Sequence, residues 1–299
     1  MQKKVERTTA SKATIYTLIG GTCWGFSGTC GQYLLSNCQV DARWLTAVRM
    51  LSAGVLLTCF CLFKKRATMV ALLKDKTSVI RLLLFALAGL TVCQFTYLNA
   101  IKHTNAGTAT VLQYLGPILI LIFVCSTSLR LPKLREAIAI ILALMGTFFI
   151  ATGGDLHTLV ITKEGLFWGI MSAVGAFLYT LLPRTIMAKW GSTVVTGLGM
   201  LVGGIVLFVV VRAWSIPVAM TLPVFLGLVA IIVVGTVIAF TLYLQGVMML
   251  GAVKASMLAS VEPVAATCFS AIFLGTTFGG MDLLGFACIL TTVFLISDH

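Results

Sequence analysis

Long apolar segments alternate with short polar linkers along the whole chain. An α-helix needs about 20 mostly apolar residues to cross the hydrocarbon core of a bilayer, and about ten segments of the sequence satisfy this condition. The pattern therefore predicts an all-α membrane protein with ten transmembrane helices. Their approximate ranges are 13–35, 43–63, 82–101, 106–126, 135–153, 165–183, 193–211, 223–246, 253–275 and 281–297.

The composition supports this prediction. Hydrophobic residues make up 59% of the 299 positions and charged residues only 10%, with a mean hydropathy of +1.07. Soluble domains are about half apolar and a quarter charged. The linkers are too short to bury a core of their own, so the sequence predicts no separate soluble catalytic domain.

The basic residues concentrate in alternate linkers. Membrane proteins carry excess Lys and Arg in their cytoplasmic linkers, so the pattern predicts a multi-pass protein of the cell membrane with both termini cytoplasmic. The same distribution accounts for the net charge of +12 without a nucleic-acid partner. The predicted inner linkers hold Lys3, Lys4, Arg7, Lys12, Lys64, Lys65, Arg66, Lys74, Lys76, Arg81, Arg130, Lys133, Arg135, Arg184, Lys189 and Lys254, and the outer linkers hold Arg43, Lys102, Lys163 and Arg212.

The two halves of the chain resemble each other. Residues 45–57 align with 195–207 at a shift of 150, which pairs Gly54 with Gly204. Residues 97–117 align with 243–263 at a shift of 146, which pairs two tyrosines and two prolines. We divide the chain into five-helix repeats at 1–153 and 164–299. Because each repeat has an odd number of spans, the second is predicted to be inverted relative to the first, an architecture of secondary transporters.

Several stretches resemble the drug/metabolite transporter superfamily, specifically its EamA-like ten-helix permeases. They are CWGFSG at 23–28, Arg49 followed by small residues, and the Ala-rich turn with a following Pro helix at 100–119, which recurs at 250–264. This resemblance implies a secondary transporter that moves a small organic metabolite by alternating access. It also implies that a proton gradient or the gradient of the substrate itself drives transport.

The sequence departs from the family pattern at two places. The family commonly carries Gly-Glu near the ends of the fourth and ninth spans, whereas this chain reads STSLRLP at 126–132 and LGTTFGG at 274–280. No role of that glutamate transfers to this chain.

Two ionisable residues, Arg49 and Glu262, lie deep within predicted spans. A charge at a helix centre costs about 2.5 to 3.5 kcal/mol on insertion scales, so it is expected to face the bundle interior. Counted along their helices, the two residues differ in depth by only about 5 Å. In the repeat alignment Arg49 is aligned with Gly199, and Glu262 is aligned with Gly116. We therefore predict that both charges approach one central cavity between the repeats, each supplied by one half alone.

Each charge has two interpretations. Glu262 is either a protonatable, cation-attracting cavity residue, and thus a candidate for proton coupling, or a structural acid bonded to backbone freed by Pro263, which has no N–H. Arg49 either binds a substrate carboxylate, which its planar guanidinium suits, or forms a structural ion pair or contacts helix-end carbonyls.

Further polar and aromatic residues could line the same cavity. Gln94 and Tyr97 share a helix face at i, i+3, whereas Tyr243 and Gln245 project in nearly opposite directions from a regular helix. Trp24 and Tyr179 could stack on an aromatic or cationic ligand; such residues also serve as contacts between helices. The candidate substrate-binding set is Trp24, Arg49, Gln94, Tyr97, Gln113, Tyr179, Tyr243 and Glu262. Pro117 and Pro263, paired across the repeats, are the candidate helix kinks.

These features favour a secondary transporter of a small organic metabolite, with an amino acid or a derivative as the favoured substrate. The alternative is a multidrug or organic-cation exporter, which Glu262 suits and Arg49 opposes. An enzyme or a channel is less favoured. His103, His157 and His299 lie far apart, the nine cysteines form no CxxC pair, and no P-loop pattern occurs. The sequence thus predicts no enzyme, cofactor or metal site, and it is compatible with a monomer.

Overall fold

The computed structural model describes residues 2–155, 159–250, 255 and 258–297. Lys254, His157 and His299, considered above, lie outside the described residues. Within these ranges the regular elements are helical. The α-helices are α1 (Gln2–Ser36), α2 (Ala42–Lys64), α3 (Arg66–Lys74), α4 (Lys76–Leu84), α5 (Val92–His103), α6 (Ala106–Gln113), α7 (Gly116–Thr127), α8 (Leu134–Thr152), α9 (Lys163–Leu181), α10 (Arg184–Trp190), α11 (Ser192–Val210), α12 (Leu222–Val229), α13 (Ala239–Leu250), α14 (Val261–Leu274) and α15 (Gly280–Ser297).

Among the described residues, seven helical segments are long and apolar enough to cross a membrane. They coincide with the second to eighth predicted spans. The first predicted span lies within α1, and two shorter apolar helices, Val261–Leu274 and Gly280–Leu295, occupy the last two positions. The protein is an all-helical, multi-pass membrane protein. The seven segments are Ala42–Lys64, Lys76–His103, Ala106–Thr127, Leu134–Thr152, Lys163–Leu181, Ser192–Val210 and Leu222–Leu250.

The structure differs from the sequence prediction at several span boundaries. Residues expected to form linkers instead form the short helices α3 and α10. In α3 the side chains of Met69 and Leu72 are buried, so tertiary packing stabilises a helix outside the apolar windows. The fourth predicted span is interrupted between α6 and α7. Pro117 stands in the first turn of α7, where its missing N–H costs no helical hydrogen bond.

Two of the long helices contain a π-helical segment, at Phe85–Thr91 and Ala230–Ile238. In each segment a threonine hydroxyl donates to the carbonyl oxygen five residues earlier: Thr91 to Ala86 at 2.8 Å and Thr236 to Ile231 at 3.2 Å. The two threonines are 145 residues apart, within one residue of the repeat shift seen in the sequence. The π-segments therefore occupy equivalent positions in the two halves of the chain.

Helices from the two halves pack against each other in a regular pattern. α2 lies against α11, α8 against α15, α5 against α9, α1 against α13 and α14, and α6 against α14. The π-segment of the first half packs on α9 and α11, whereas that of the second half packs on α1 and α2. Every close pair in this pattern joins one half to the other, so the space between the halves is enclosed by both.

Small residues allow the backbones of α2 and α11 to approach closely. A Cβ atom added at Gly204 would lie 2.5 Å from the amide nitrogen of Leu51, and one added at Gly54 would lie 2.5 Å from the Cα of Leu201. These two glycines are the pair that the repeat alignment matches. Because the neighbouring atoms belong to the main chain, no side-chain rotation relieves the clash.

Gly204→Ala is therefore expected to destabilise the protein. Overpacking costs about 1 to 3 kcal/mol, and a main-chain contact places this substitution at the upper end. The thermal unfolding temperature of the detergent-purified variant should fall by several degrees relative to the unsubstituted protein. Gly280→Ala is the matched control, because nothing lies within 4 Å of the added Cβ. Equal unfolding temperatures for the two variants would refute the close approach.

Candidate functional site

A cavity of about 260 Å³ lies between helices of both halves. Side chains from α1, α2, α5, α6 and α7 form one part of its wall, and side chains from α9, α13 and α14 form the rest. The wall combines two charged residues of opposite sign with several aromatic rings. The lining residues are Trp24, Arg49, Cys93, Gln94, Tyr97, Gln113, Tyr114, Pro117, Ala176, Tyr179, Thr180, Phe240 and Glu262.

Seven of the eight substrate-binding candidates from the sequence line this cavity: Trp24, Arg49, Gln94, Tyr97, Gln113, Tyr179 and Glu262. The eighth, Tyr243, is not among the lining residues and contacts Trp24, with the two ring centroids 5.0 Å apart. Because α13 continues without a break past this point, Tyr243 and Gln245 keep their opposite directions. Gln245 lines a different cavity.

The Arg49 guanidinium is buried and faces the cavity without a direct partner. The residue is only 9% exposed, and it forms no hydrogen bond or ion pair with any described residue. The Glu262 carboxylate lies in the same cavity but beyond the 4.0 Å limit of an ion pair. The structural ion pair and the carbonyl contact considered for Arg49 are thus absent from the part of the chain that the structure describes. The five N–H donors of the guanidinium remain available to a ligand.

Glu262 has a different environment. It stands in the first turn of α14, where the partial positive charge of a helix N-terminus favours a carboxylate. The Tyr114 hydroxyl lies 3.3 Å from its Oε2 atom and 3.2 Å from the carbonyl oxygen of Ala259. A single hydroxyl hydrogen serves one acceptor at a time, so Tyr114 can exchange the carboxylate for a main-chain partner. The bond to backbone freed by Pro263 is not observed for the described side chain.

Other polar groups of the wall are already engaged. The Tyr97 hydroxyl lies 2.8 Å from Thr110 Oγ1, and Thr110 donates to the Ala106 carbonyl at 2.7 Å. The Gln113 amide contacts Cys93 Sγ at 3.5 Å. These contacts join α5 to α6. The side chains of Gln94 and Tyr179, in contrast, form no hydrogen bond with described residues. They therefore offer both donors and acceptors beside Arg49, which has donors only.

Aromatic rings close another side of the cavity. Phe240 meets Trp24 edge to face, with centroids 5.2 Å apart, and Tyr179 lies 5.8 Å from Phe85. Ring faces attract organic cations and other rings. The cavity therefore offers a cation at Arg49, an anion at Glu262 and an aromatic wall.

The sequence interpretation missed five cavity residues: Cys93, Tyr114, Ala176, Thr180 and Phe240. Tyr114 follows Gln113 directly, and on a continuous helix it would project about 100° away. Both side chains nevertheless line the cavity, and the Tyr114 hydroxyl lies 3.3 Å from Glu262 Oε2. Pro117, three residues after Tyr114, was the available sequence signal for that residue. Nothing in the sequence distinguishes Phe240 from other apolar positions.

The sequence of the chain matches a known family of membrane proteins. The model of the EamA-like transporter family matches the chain twice, over residues 11–152 and 163–298. The chain belongs to the EamA-like transporter family. Within the drug/metabolite transporter superfamily, this EamA-like protein is a membrane transporter, and the family description indicates a transporter rather than an enzyme. Each matched segment covers a little less than half of the chain.

Relatives of this EamA-like transporter support the assignment. It is 35% identical over 286 residues to the uncharacterized inner membrane transporter YicL of Salmonella typhimurium, covering 96% of this chain and 95% of that protein. It is 22% identical over 268 residues to a WAT1-related chloroplastic protein of Arabidopsis thaliana, covering 85% of this chain and 62% of that protein. A solved crystal structure that is 20% identical superposes with a TM-score of 0.63 over 95% of this chain and 96% of that one, which shows a shared fold.

Proposed function

We propose that this protein is a secondary active transporter of a small organic metabolite that carries a carboxylate, with an amino acid or a derivative as the favoured substrate. The observation that carries the proposal is the buried, cavity-facing Arg49 without a hydrogen-bond or ion-pair partner among the described residues. A buried charge without a partner is costly. A bound carboxylate would supply that partner through two parallel hydrogen bonds.

The size and second charge of the cavity support an amino acid. Its volume of about 260 Å³ lies just below the roughly 300 to 1,000 Å³ of drug-sized pockets, so the substrate is small. Glu262 and the ring of Trp24 suit an ammonium group. An organic cation without a carboxylate would use that half of the site but leave Arg49 unpaired and would be repelled by it. The organic-cation exporter is therefore the second candidate.

Alternating access requires two bodies that can move against each other. We propose that the halves are inverted five-helix repeats related by an approximate two-fold axis in the membrane plane. The cross-packing of α2 with α11 and of α8 with α15, and the exchanged packing of the π-segments, support this symmetry. Each π-segment directly precedes a cavity-lining stretch, and π-helical turns are frequent at functional sites. We place the moving joints there and at the starts of α7 and α14, where Pro117 and Pro263 lie in the first turn.

We further propose that a proton gradient drives uphill transport through Glu262, with the substrate gradient as the alternative driving force. The Tyr114 hydroxyl supports this role, because it can leave the carboxylate for the Ala259 carbonyl when Glu262 takes up a proton. The distribution of basic residues supports cytoplasmic termini in the cell membrane. Both halves of the cavity come from one chain, so a monomer suffices.

The proposal is tested by thermal-shift measurements on purified protein with amino acids, quaternary amines and sugars. A ligand at about 100 times its Kd stabilises the protein by about 2.7 kcal/mol, which raises the unfolding temperature by several degrees. Amino acids should stabilise, whereas the matching amino-acid amides, which lack the carboxylate, should not. Stabilisation by quaternary amines alone would favour the exporter. Saturable counterflow of the stabilising compound in proteoliposomes would distinguish a carrier from a channel.

A network of polar contacts joins the two halves at the face that carries α3 and α10. Lys189 Nζ lies 2.6 Å from Asp75 Oδ2, and Trp190 Nε1 donates to Ser78 Oγ at 2.8 Å. The hydrogen bonds from Lys189 and then Ser78 lower the pKa of Asp75 from 3.8 to about 2. Any opening of this face must separate these groups, because Asp75 and Ser78 belong to the first half and Lys189 and Trp190 to the second.

Asp75→Asn is expected to change the transport rate by the same factor at every pH from 5 to 8. A lowered pKa means that the contact contributes fully above the ordinary value of 3.8 and is lost only as the pH falls towards about 2. Counterflow rates of the variant and the unsubstituted protein across this range provide the measurement. A ratio that varies with pH within it would contradict the assigned ionisation of Asp75.

A further inference from the structure

A second cavity, of about 210 Å³, lies beside the central one and between α2, α11 and α13. The two cavities share one wall residue, Phe240. The second cavity reaches the end of α2 at Lys65, the residue that follows the last turn of this helix. Arg49 and Lys65 are therefore attached to the same helix, about 24 Å apart at 1.5 Å per residue. One cation is deep in the bundle and the other is near its surface.

The polar groups of the second cavity suit an anion. Lys65 is exposed and forms no ion pair with described residues, and Gln245 is exposed with its amide unbonded to them. Thr193 and Thr196 contribute hydroxyl groups from α11. No carboxylate lies among the described residues of this wall. The wall thus joins one cation and four uncharged polar residues to the apolar side chains of Leu57, Phe60, Phe240 and Met248.

Phe240 lines both cavities, and its ring packs against Trp24. Its ring meets Trp24 edge to face at 5.2 Å, and Trp24 in turn contacts Tyr243 at 5.0 Å. Phe240 is the second residue after the π-segment Ala230–Ile238. A change of helical register in that segment would rotate the residues that follow it, by about 100° for each residue of shift. The ring can therefore be moved by the same joint that we assign to alternating access.

We propose that the second cavity is a vestibule of the transport path, in which Lys65 and Gln245 bind the carboxylate of the substrate before it reaches Arg49, and that Phe240 is the barrier between the two sites. This proposal rests on the proposed function, since it uses the same carboxylate. An exposed ammonium attracts an anion from a distance and holds it weakly. The planar Arg49 donor group in a less hydrated cavity holds the carboxylate more tightly, so the direction of transfer is favourable.

The first test compares Lys65→Gln with Lys64→Gln. Lys64 precedes Lys65 directly and is also exposed, but it does not line the vestibule. The probe is a mixture of ¹⁴C-labelled L-amino acids, offered to inverted and to right-side-out membrane vesicles. Lys65→Gln should raise the half-saturating concentration about 3- to 10-fold on the face that carries Lys65 and leave the maximal rate within about 2-fold. Lys64→Gln should leave both values within about 2-fold.

Thermal shifts of the purified variants separate the two proposals. If Lys65→Gln keeps the amino-acid-induced shift and its half-saturating concentration rises on one face, the vestibule is supported. If the shift is kept but Lys65→Gln behaves like Lys64→Gln, the vestibule is wrong and the central site stands. If no amino acid causes an Arg49-dependent shift or uptake, both proposals are wrong.

The second test addresses the barrier. Phe240→Ala should increase passive leakage of the labelled mixture and abolish stimulation of uptake by amino acids inside the vesicle, because the two cavities become continuous. Phe240→Leu, which keeps a bulky apolar side chain, should restore stimulation. Phe63→Ala is the control, since Phe63 is exposed and lines neither cavity. If a folded Phe240→Ala variant shows no increase in passive leakage and keeps full stimulation of uptake by internal amino acids, the proposed role of Phe240 is wrong.

Discussion

Arg49→Met is expected to weaken binding of a carboxylate substrate by at least about 100-fold. Hydrogen bonds to charged groups contribute about 1.5 to 3 kcal/mol each, two of them are lost, and every 1.4 kcal/mol corresponds to a factor of ten in Kd. Transport at substrate concentrations below saturation should fall by the same factor. Ligand titrations followed by thermal unfolding, with counterflow in proteoliposomes, provide the measurement.

The same substitution should leave the ligand-free protein at least as stable as before. Methionine fills much of the arginine volume and removes a buried charge that has no direct partner in the described structure, and replacing buried charges with apolar side chains is often neutral or stabilising. Arg49→Lys is the matched control. It keeps the charge but loses the planar pair of donors, so binding should weaken by less than in Arg49→Met. A lower unfolding temperature for ligand-free Arg49→Met would instead identify Arg49 as a structural residue.

Glu262→Gln is expected to abolish uphill accumulation of the substrate, while exchange continues at a raised half-saturating concentration because the substrate ammonium loses its charged partner. Glutamine preserves the shape of the side chain and still accepts a hydrogen bond from Tyr114, but it cannot bind and release a proton. Concentrative uptake driven by a pH gradient should fall to the level of equilibration. Counterflow should continue and should lose its dependence on pH between 5 and 8.

Two further variants complete this experiment. Tyr114→Phe removes the hydroxyl that contacts the carboxylate but keeps the titratable group, so its counterflow should retain a pH dependence. Asp75→Asn removes a carboxylate at the face of the protein that stays ionised throughout the range. If Glu262→Gln shows the same pH dependence as the unsubstituted protein, proton coupling through this residue is refuted, and the substrate gradient becomes the proposed driving force.

Much of the transmembrane organisation could be predicted from the sequence, because a lipid environment restricts what a span can contain. Seven predicted spans coincide with long apolar helices, and the family assignment agrees with the motifs around Trp24, Arg49 and Pro117. The limits of the short helices α3 and α10 could not be predicted. Their side chains are stabilised by contacts with residues far away in the sequence, which local composition does not encode.

The residues of the central cavity could also be predicted only in part from the sequence. Arg49 and Glu262 stand out in apolar sequence because charges in a membrane must face the protein interior, and both line the cavity. The opposite projections of Tyr243 and Gln245 follow from the helical repeat alone. The π-segments did not stand out, since a change in hydrogen-bond register has no distinct composition. Tyr114 lies at the end of α6, and its contacts with Ala259 and Glu262 depend on where the distant α14 packs.

Periodicity and composition were sufficient for the helical class, the membrane location and the identity of the two charged residues that line the cavity, since each of these depends on residues and their immediate neighbours. Whether those two charges form an ion pair could not be determined from the sequence. Two opposite charges at similar depths could have formed an ion pair, and only the packing of α2 and α14 around the cavity keeps Arg49 beyond ion-pair distance from Glu262. The separation depends on where two distant helices lie, and it leaves a guanidinium free to bind.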